Sequence, residues 1–139
     1  MSDLVRISFS LETGLADQLE RLARTHQYTN RSELVRDLIR QRVVQQEWAD
    51  ARQPVVATIT LVYDHHQREL LDHLVKIQHH HPAHVLASTH VHLSHEMCAE
   101  MIMVRGKAAR IQQLADEMGK QRGVLHASLS MATTGVKLH

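Results

Sequence analysis

The sequence predicts an α+β protein in two parts, a strand-helix-helix piece followed by a βαββαβ domain. Along the chain, the spacing of apolar residues changes between every second residue, which is typical of strands, and about every 3.6 residues, which is typical of helices. The changes follow the order of these elements. Gln53-Pro54 separates the two parts, because Pro54 disfavours helix in the residue before it. Ten of the 13 histidines lie between His65 and His95, all within the second part. We therefore assign domains to residues 1–50 and 54–132, with a tail over 133–139.

Composition restricts the class of protein. The 139 residues carry a net charge of +1, and only 3% are aromatic, so the core must be aliphatic. No apolar run approaches the roughly 18 to 20 residues of a membrane span, and no secretory signal is evident. The single cysteine, Cys98, excludes an internal disulfide framework. We expect a cytoplasmic protein that does not associate with membranes.

The first part opens with strict alternation. Apolar residues at 5, 7, 9 and 11 alternate with Arg6, Ser8 and Ser10, which predicts a half-buried strand over 5–11. Leucines at 15, 19 and 22 then predict a helix that ends near His26. A second helix begins at Asn30, where Asn30-Arg31-Ser32-Glu33 has the pattern of a capping box. In a capping box the Asn30 side chain accepts a hydrogen bond from a backbone N–H, and the Glu33 side chain accepts one from the Asn30 backbone N–H.

This first part is too small to fold alone, and its strand has no partner. Two copies solve both problems if their strands pair antiparallel across a two-fold axis. Such a ribbon presents Arg6, Ser8 and Ser10 twice and fits the major groove of DNA, where arginine can read guanine. The alternative is an ordinary amphipathic surface strand.

In the second part, strands are predicted over 55–63, 84–93, 98–105 and 124–131. Helices are predicted over 68–78 and from Ala108 to Met118, and Gly106 is expected to end the third strand. This order is the ferredoxin-like arrangement, with helices on one face of an antiparallel sheet. Residues 101–104 are apolar on both faces, so we expect a second subunit to cover the open face of the sheet.

Two histidines and the cysteine form a candidate metal site. Alternation projects His90 and His92 from one side of a strand, about 7 Å apart. A short turn leads to Cys98 on the next strand, which can fold back beside them. Two imidazoles and a thiolate suit Ni(II), Cu(II), Zn(II) or Co(II), and the spacing does not choose among them. Structural coincidence is the alternative.

A fourth donor could come from His79-His80-His81, which ends the preceding helix. Within one subunit this triplet lies about 20 Å from His90 along the strand. It could arrive from a partner packed against the open sheet face. Glu33 and Asp37, one helical turn apart, could bridge a hard cation, although the residues alone favour the simpler account of a cap at Glu33 and neighbouring arginines.

These residues resemble the nickel-responsive transcription regulators, which join a ribbon-helix-helix DNA-binding domain to an ACT-type, ferredoxin-like metal domain. The resemblance extends from about Val5 to Met131 and rests mainly on His79, His90-x-His92 and Cys98. Asn30-Arg31-Ser32-Glu33 is a second match. Serine stands at positions 8 and 10, where the family often has threonine, and Pro82 follows the histidine triplet directly.

The resemblance implies a homotetramer, built as a dimer of dimers, with one Ni(II) per subunit. His90, His92 and Cys98 of one subunit and His79 of another would hold the metal in a square plane. Arg6, Ser8 and Ser10 would read an inverted-repeat operator.

The resemblance further implies that Glu33 and Asp37 help to form a second site for a hard cation such as K+. The expected function is that of a nickel-dependent regulator that represses nickel uptake genes. The alternatives are the same architecture responding to copper or cobalt, a metal-buffering protein and, least favoured, an enzyme using Cys98 as nucleophile.

Overall fold

The computed structural model describes residues 3–50 and 52–138. These fall into two compact units, one ending at Val43 and also containing Lys137 and Leu138, the other spanning Val44–Val136. The elements in chain order are α1 (Thr13–Thr25), α2 (Arg31–Ala49), β1 (Pro54–Asp64), α3 (Leu70–His80), β2 (His84–His92), β3 (Met97–Lys107), α4 (Ala108–Gly119) and β4 (Val124–Met131).

The second unit has the predicted βαββαβ order and one four-stranded sheet. The strand order is β2-β3-β1-β4, and every neighbouring pair is antiparallel. β4 coincides with the prediction, whereas β3 runs through Gly106, which pairs with Val55. The prediction that Gly106 ends the strand is therefore wrong, because a glycine held in a ladder by an inner strand need not interrupt it.

The core lies on one face of this sheet. Alternate residues of β1, from Val55 to Tyr63, are fully buried and pack with apolar side chains of α3 and α4. On β3, Ile102 is buried, whereas Met101 and Met103 are 46% and 44% exposed. The prediction that this strand is apolar on both faces is confirmed.

The end of α2 packs within the second unit. The indole Nε1–H of Trp48 donates to the Ala132 carbonyl at 2.9 Å. The Thr133 hydroxyl donates to a carboxylate oxygen of the buried Glu47 at 2.7 Å. These two bonds join the last turn of α2 to the residues that follow β4.

In the first unit, the predicted strand is not formed within one chain. Residues 3–12 have no regular secondary structure, and among the described residues this unit contains no other strand with which they could pair. Val5, Ile7 and Phe9 are 78%, 77% and 59% exposed. Together with α1 and α2, this segment lines an open groove of about 1050 Å³.

The predicted helix cap at Asn30 is present. The Glu33 backbone N–H donates to Asn30 Oδ1 at 2.9 Å. The carboxylate of Glu33, however, accepts a bond from the Thr29 hydroxyl at 2.9 Å. Only the Asn30 half of the expected capping box is therefore observed.

Candidate metal centre

The hairpin between β2 and β3 brings His92 and Cys98 together. The Leu93 N–H donates to the Met97 carbonyl at 2.8 Å, and this closes the turn. The ladder register then places His92 directly opposite Cys98. Their donor atoms, His92 Nδ1 and Cys98 Sγ, are 3.3 Å apart. The sequence prediction that these two residues meet is thus reproduced in the fold.

The pair lies on the helix-covered face of the sheet. Tyr63 of β1 pairs with Cys98 of β3, so Tyr63, Cys98 and His92 form one row across three strands. Side chains directly opposite in a ladder point to the same face. Tyr63 and Cys98 belong to the core with α3 and α4. The donors therefore lie on the helix-covered face and not on the open face from which a partner was expected to approach; the contribution of a partner stays a prediction.

His65 is a third donor, and it is not part of the ligand set predicted from the sequence. One ligand atom each from His65, His92 and Cys98 lies within 4.8 Å of the others. The Nδ1 atom of His65 is buried and has no hydrogen-bond partner among the described residues. The His65 N–H donates to the Glu96 carbonyl at 3.0 Å, which continues the β1–β3 pairing by one position beyond Asp64 and Met97. Side chains alternate between the two faces of a strand, and His65 lies two residues after Tyr63. This alternation is the signal in the sequence that places His65 on the same face as Tyr63.

His90 stands beside this group and is held differently. Its ring centroid is 5.2 Å from that of His92. Its Nδ1 lies 3.0 Å from the Tyr63 hydroxyl oxygen, and the same hydroxyl donates to Glu100 Oε2 at 3.2 Å. Burial, followed by the nearby Glu100 charge, raises the pKa of Tyr63 well above its usual range. The phenol is therefore neutral at physiological pH.

His79 is not among the residues brought together within the subunit. It is exposed in the last turn of α3, and its ring centroid is 5.4 Å from that of His80. In the same segment, burial lowers the pKa of His81, whose Nδ1 accepts from the Ala83 N–H at 3.1 Å.

The spacing of His92 and Cys98 fits a transition-metal ion. Bonds of about 2.0 Å to nitrogen and about 2.3 Å to sulfur place the two donors about 3.0 Å apart at a right angle, or about 3.5 Å apart at a tetrahedral angle. The observed 3.3 Å lies between these values and suits either geometry. A thiolate beside imidazoles matches the softer divalent metals rather than Mg²⁺ or Ca²⁺.

The three polar residues predicted to contact DNA lie on the extended segment of the first unit. Arg6, Ser8 and Ser10 are all exposed. Arg6 and Ser8 line the same groove as the apolar residues of the segment. Exposure leaves these side chains available to a ligand.

Glu33 and Asp37 lie one turn apart near the start of α2. Asp37 accepts from the Tyr28 hydroxyl at 2.7 Å and pairs with Arg40 at 3.2 Å. The hydrogen bond to Asp37 is the main cause of a raised pKa at Tyr28. Both carboxylates therefore have protein partners.

Fold and site together define a class: a small helical unit followed by an α+β domain that carries a candidate metal centre. Two family models match accordingly, the NikR C terminal nickel binding domain over residues 56–132 and the ribbon-helix-helix protein of the copG family over residues 5–46.

Curated relatives provisionally named nickel-responsive regulators match over almost the full length. One from Geobacter metallireducens is 42% identical over 139 residues, which is 100% of both chains. One from Solibacter usitatus is 42% identical over 138 residues, and one from Nitratidesulfovibrio vulgaris is 39% identical over 138 residues, each match covering 99% of both chains. The chain belongs to the family of nickel-responsive regulators.

This membership confirms the predicted resemblance, the α+β fold class and the prediction that the protein is not an enzyme. It favours nickel over the copper and cobalt alternatives. Among the helices of residues 3–50 and 52–138, none is both long and apolar enough to cross a membrane.

Proposed function

We propose that the protein is a nickel-dependent transcriptional repressor of nickel uptake genes, in which bound Ni(II) raises the affinity for an inverted-repeat operator. The observation that carries this proposal is the His92 Nδ1 and Cys98 Sγ pair, 3.3 Å apart, in a chain that also has a ribbon-helix-helix domain. Because the metal centre and the DNA-binding domain belong to one chain, occupancy of the metal centre can control DNA binding.

The ligand set we propose is His90, His92 and Cys98 of one subunit with His79 of the partner subunit, and one Ni(II) is bound per subunit. Bound nickel would supply a square-planar junction between these four side chains. Three of them sit on the β2–β3 hairpin, and the ring centroid of His90 is 5.2 Å from that of His92. His65 competes with His90 for the remaining position, because its Nδ1 has no other partner among the described residues.

The fourth ligand comes from another subunit because His79 lies at the wrong end of β2. α3 ends at His80 and β2 begins at His84, so His90 is six residues along the strand. At the usual rise of a strand this separation is about 20 Å. A homotetramer, formed as a dimer of dimers through the metal domains, supplies the missing histidine.

Sharing the site couples metal occupancy to assembly geometry. Nickel binds more tightly to the arrangement that brings both halves of the ligand set together, and this arrangement is then favoured. If the same arrangement presents the DNA-binding units correctly, nickel and operator strengthen each other's binding by equal factors.

The DNA contacts we propose are Arg6, Ser8 and Ser10. Pairing of residues 5–11 from two subunits would form a ribbon that buries Val5, Ile7 and Phe9, which one chain leaves exposed. The polar face of the ribbon then enters the major groove, where arginine contacts guanine and serine contacts several base edges.

We also propose that Glu33 and Asp37 contribute to a second site for a hard cation such as K+. Carboxylate oxygens are suitable ligands for such ions, and the two side chains share one face of α2. A cation there would compete with Tyr28 and Arg40 for Asp37.

We place the protein in the cytoplasm, whose reducing conditions keep the Cys98 thiol available.

The test is a Ni(II) titration of the purified protein followed by absorption spectroscopy, with Cys98→Ser as the matched variant. We expect a square-planar spectrum with a thiolate charge-transfer band that saturates near one metal per subunit and is lost in the variant. A response without this band, or one that persists in Cys98→Ser, would refute the ligand assignment.

DNA binding is tested on an operator recovered from a random duplex pool by selection with the nickel-loaded protein. Adding a chelator should abolish tight binding, and Arg6→Ala should weaken it while leaving the nickel titration unchanged. Equal recovery of operator with and without nickel would refute the regulatory role.

A further inference from the structure

A chain of three polar side chains extends from the candidate metal centre into the sheet. Tyr63 is fully buried, and its hydroxyl oxygen lies 3.0 Å from His90 Nδ1 and 3.2 Å from Glu100 Oε2. His90 and Glu100 are direct partners in the β2–β3 ladder. Tyr63 reaches them diagonally from its place opposite Cys98. Three adjacent strands thus converge on one hydroxyl group.

The hydroxyl has one proton, and the stronger acceptor determines where that proton goes. A carboxylate accepts more strongly than a neutral imidazole, because hydrogen bonds to charged groups are roughly twice as strong as neutral ones. The Tyr63 O–H therefore donates to Glu100. The phenol oxygen is then left as an acceptor and can bond to His90 only if Nδ1 carries the imidazole proton.

A proton on Nδ1 leaves Nε2 as the free donor atom of His90. An imidazole ligates a metal through the nitrogen without a proton, and the hydrogen bond at the other nitrogen sets which one that is. Carboxylate, tyrosine and histidine here form a relay that orients the ring and makes Nε2 a stronger donor.

We propose that Tyr63 and Glu100 are positioning residues of the metal centre, which hold His90 as the Nδ1–H tautomer with Nε2 free for the metal. The inference rests on the proposed function only in taking His90 as a nickel ligand. Neither residue touches the metal. Glu100 directs the Tyr63 proton, and Tyr63 directs the His90 proton.

The relay also explains why a polar group is buried at this position. Tyr63 continues a row of fully buried β1 residues that otherwise consists of aliphatic side chains. Phenylalanine would fill the same space without a hydroxyl that requires partners. Partner groups around a metal ligand typically change metal affinity by about 10- to 100-fold when they are removed.

The first test uses metal-free, full-length protein labelled with ¹⁵N at histidine, at about pH 8, where a free imidazole is neutral. Long-range ¹H–¹⁵N correlation spectra distinguish the two tautomers, and the His90 signals are identified from their loss in His90→Gln. We expect the Nδ1–H tautomer in the wild type and in Glu100→Gln, whose amide oxygen still accepts the tyrosine proton. We expect it to be lost in Tyr63→Phe and in Glu100→Leu.

Glu100→Leu is the sharper variant because it keeps Tyr63. Without its acceptor, the tyrosine proton turns to His90 Nδ1 and forces the opposite tautomer. A variant that merely loosened packing would not reverse the tautomer. Wild-type His90 in the Nε2–H form, or an Nδ1–H form that persists in both Tyr63→Phe and Glu100→Leu, would overturn the proposal.

The second test measures Ni(II) affinity by competition with a chelator. Tyr63→Phe and Glu100→Leu should bind about 10- to 100-fold more weakly, and Glu100→Gln should lose less. Tyr28→Phe is the matched control. It also removes a hydrogen bond from a tyrosine to a carboxylate, the 2.7 Å bond from Tyr28 to Asp37, but this bond lies in the first unit. It should bind nickel as the wild type does in the absence of DNA.

The two proposals fail in different ways. A wild type without a nickel-thiolate band refutes the proposed function, and the tautomer measurement still decides the role of Tyr63. A wild type that binds nickel, with both Tyr63→Phe and Glu100→Leu binding equally tightly, refutes the positioning role alone.

Discussion

Replacing Phe9 with alanine tests whether two copies of the first unit bury the extended segment. Phe9 is 59% exposed in one chain. An aromatic side chain covers about 200 Å², so roughly 120 Å² would be buried on pairing. At about 25 cal/mol per Å² this burial contributes about 3 kcal/mol per subunit, of which alanine keeps about 1. The variant should therefore lose about 4 kcal/mol per pair of subunits.

Hydrogen exchange followed by mass spectrometry measures this loss in the intact protein. Opening of the first unit should become easier, and protection of the α1 amides over residues 13–25 should fall by up to about a thousandfold. Peptides from β1 should be unaffected and serve as the internal reference. Val136→Ala, which shortens a side chain that is 73% exposed in the other unit, is the control. Unchanged α1 protection in Phe9→Ala would refute burial of this segment.

Two further predictions concern stability. Gly123 has φ +98°, and a Cβ there would lie 2.6 Å from Gln67 Cγ, so Gly123→Ala should cost about 1–3 kcal/mol in urea unfolding. Gly14→Ala, where a Cβ meets nothing within 4 Å, should cost nothing; equal losses would contradict the steric argument. Both tyrosines, Tyr28 and Tyr63, have pKa values raised above the ordinary 10, so their contribution to stability is present below about pH 10 and is lost as pH rises through the folded-state values. Absorbance titration should find both phenolate steps at higher pH in the native protein than in urea, with the larger displacement at Tyr63, and native steps at the same pH as in urea would contradict the prediction.

Local patterns in the sequence were sufficient for most elements of the fold. Alternation predicted β4 at its observed bounds, and the Asn30 pattern predicted the cap that begins α2. His92 and Cys98 are only six residues apart, so a hairpin alone brings them together. These features depend on interactions between near neighbours, which periodicity and capping chemistry describe directly.

The sequence was not sufficient where a residue's environment depends on another strand or another chain. Residues 5–11 have the alternation of a strand, and the described part of the single chain offers them no partner strand, so their pairing with a second copy stays a prediction. Gly106 was predicted to end its strand. It instead pairs within the sheet, because the pairing of β1 with β3 continues to Lys107, the last residue of β3.

The sequence by itself determined the order of the elements from α1 to β4, the aliphatic core and the close pair of His92 and Cys98. Only the tertiary structure brought His65 to this pair and joined Tyr63, Glu100 and His90 through one hydroxyl group. Tyr63 lies 27 residues from His90 and 37 from Glu100 along the chain. The physical reason is register: alternation tells which residues of a strand share a face, and only the pairing of strands decides which of them face each other.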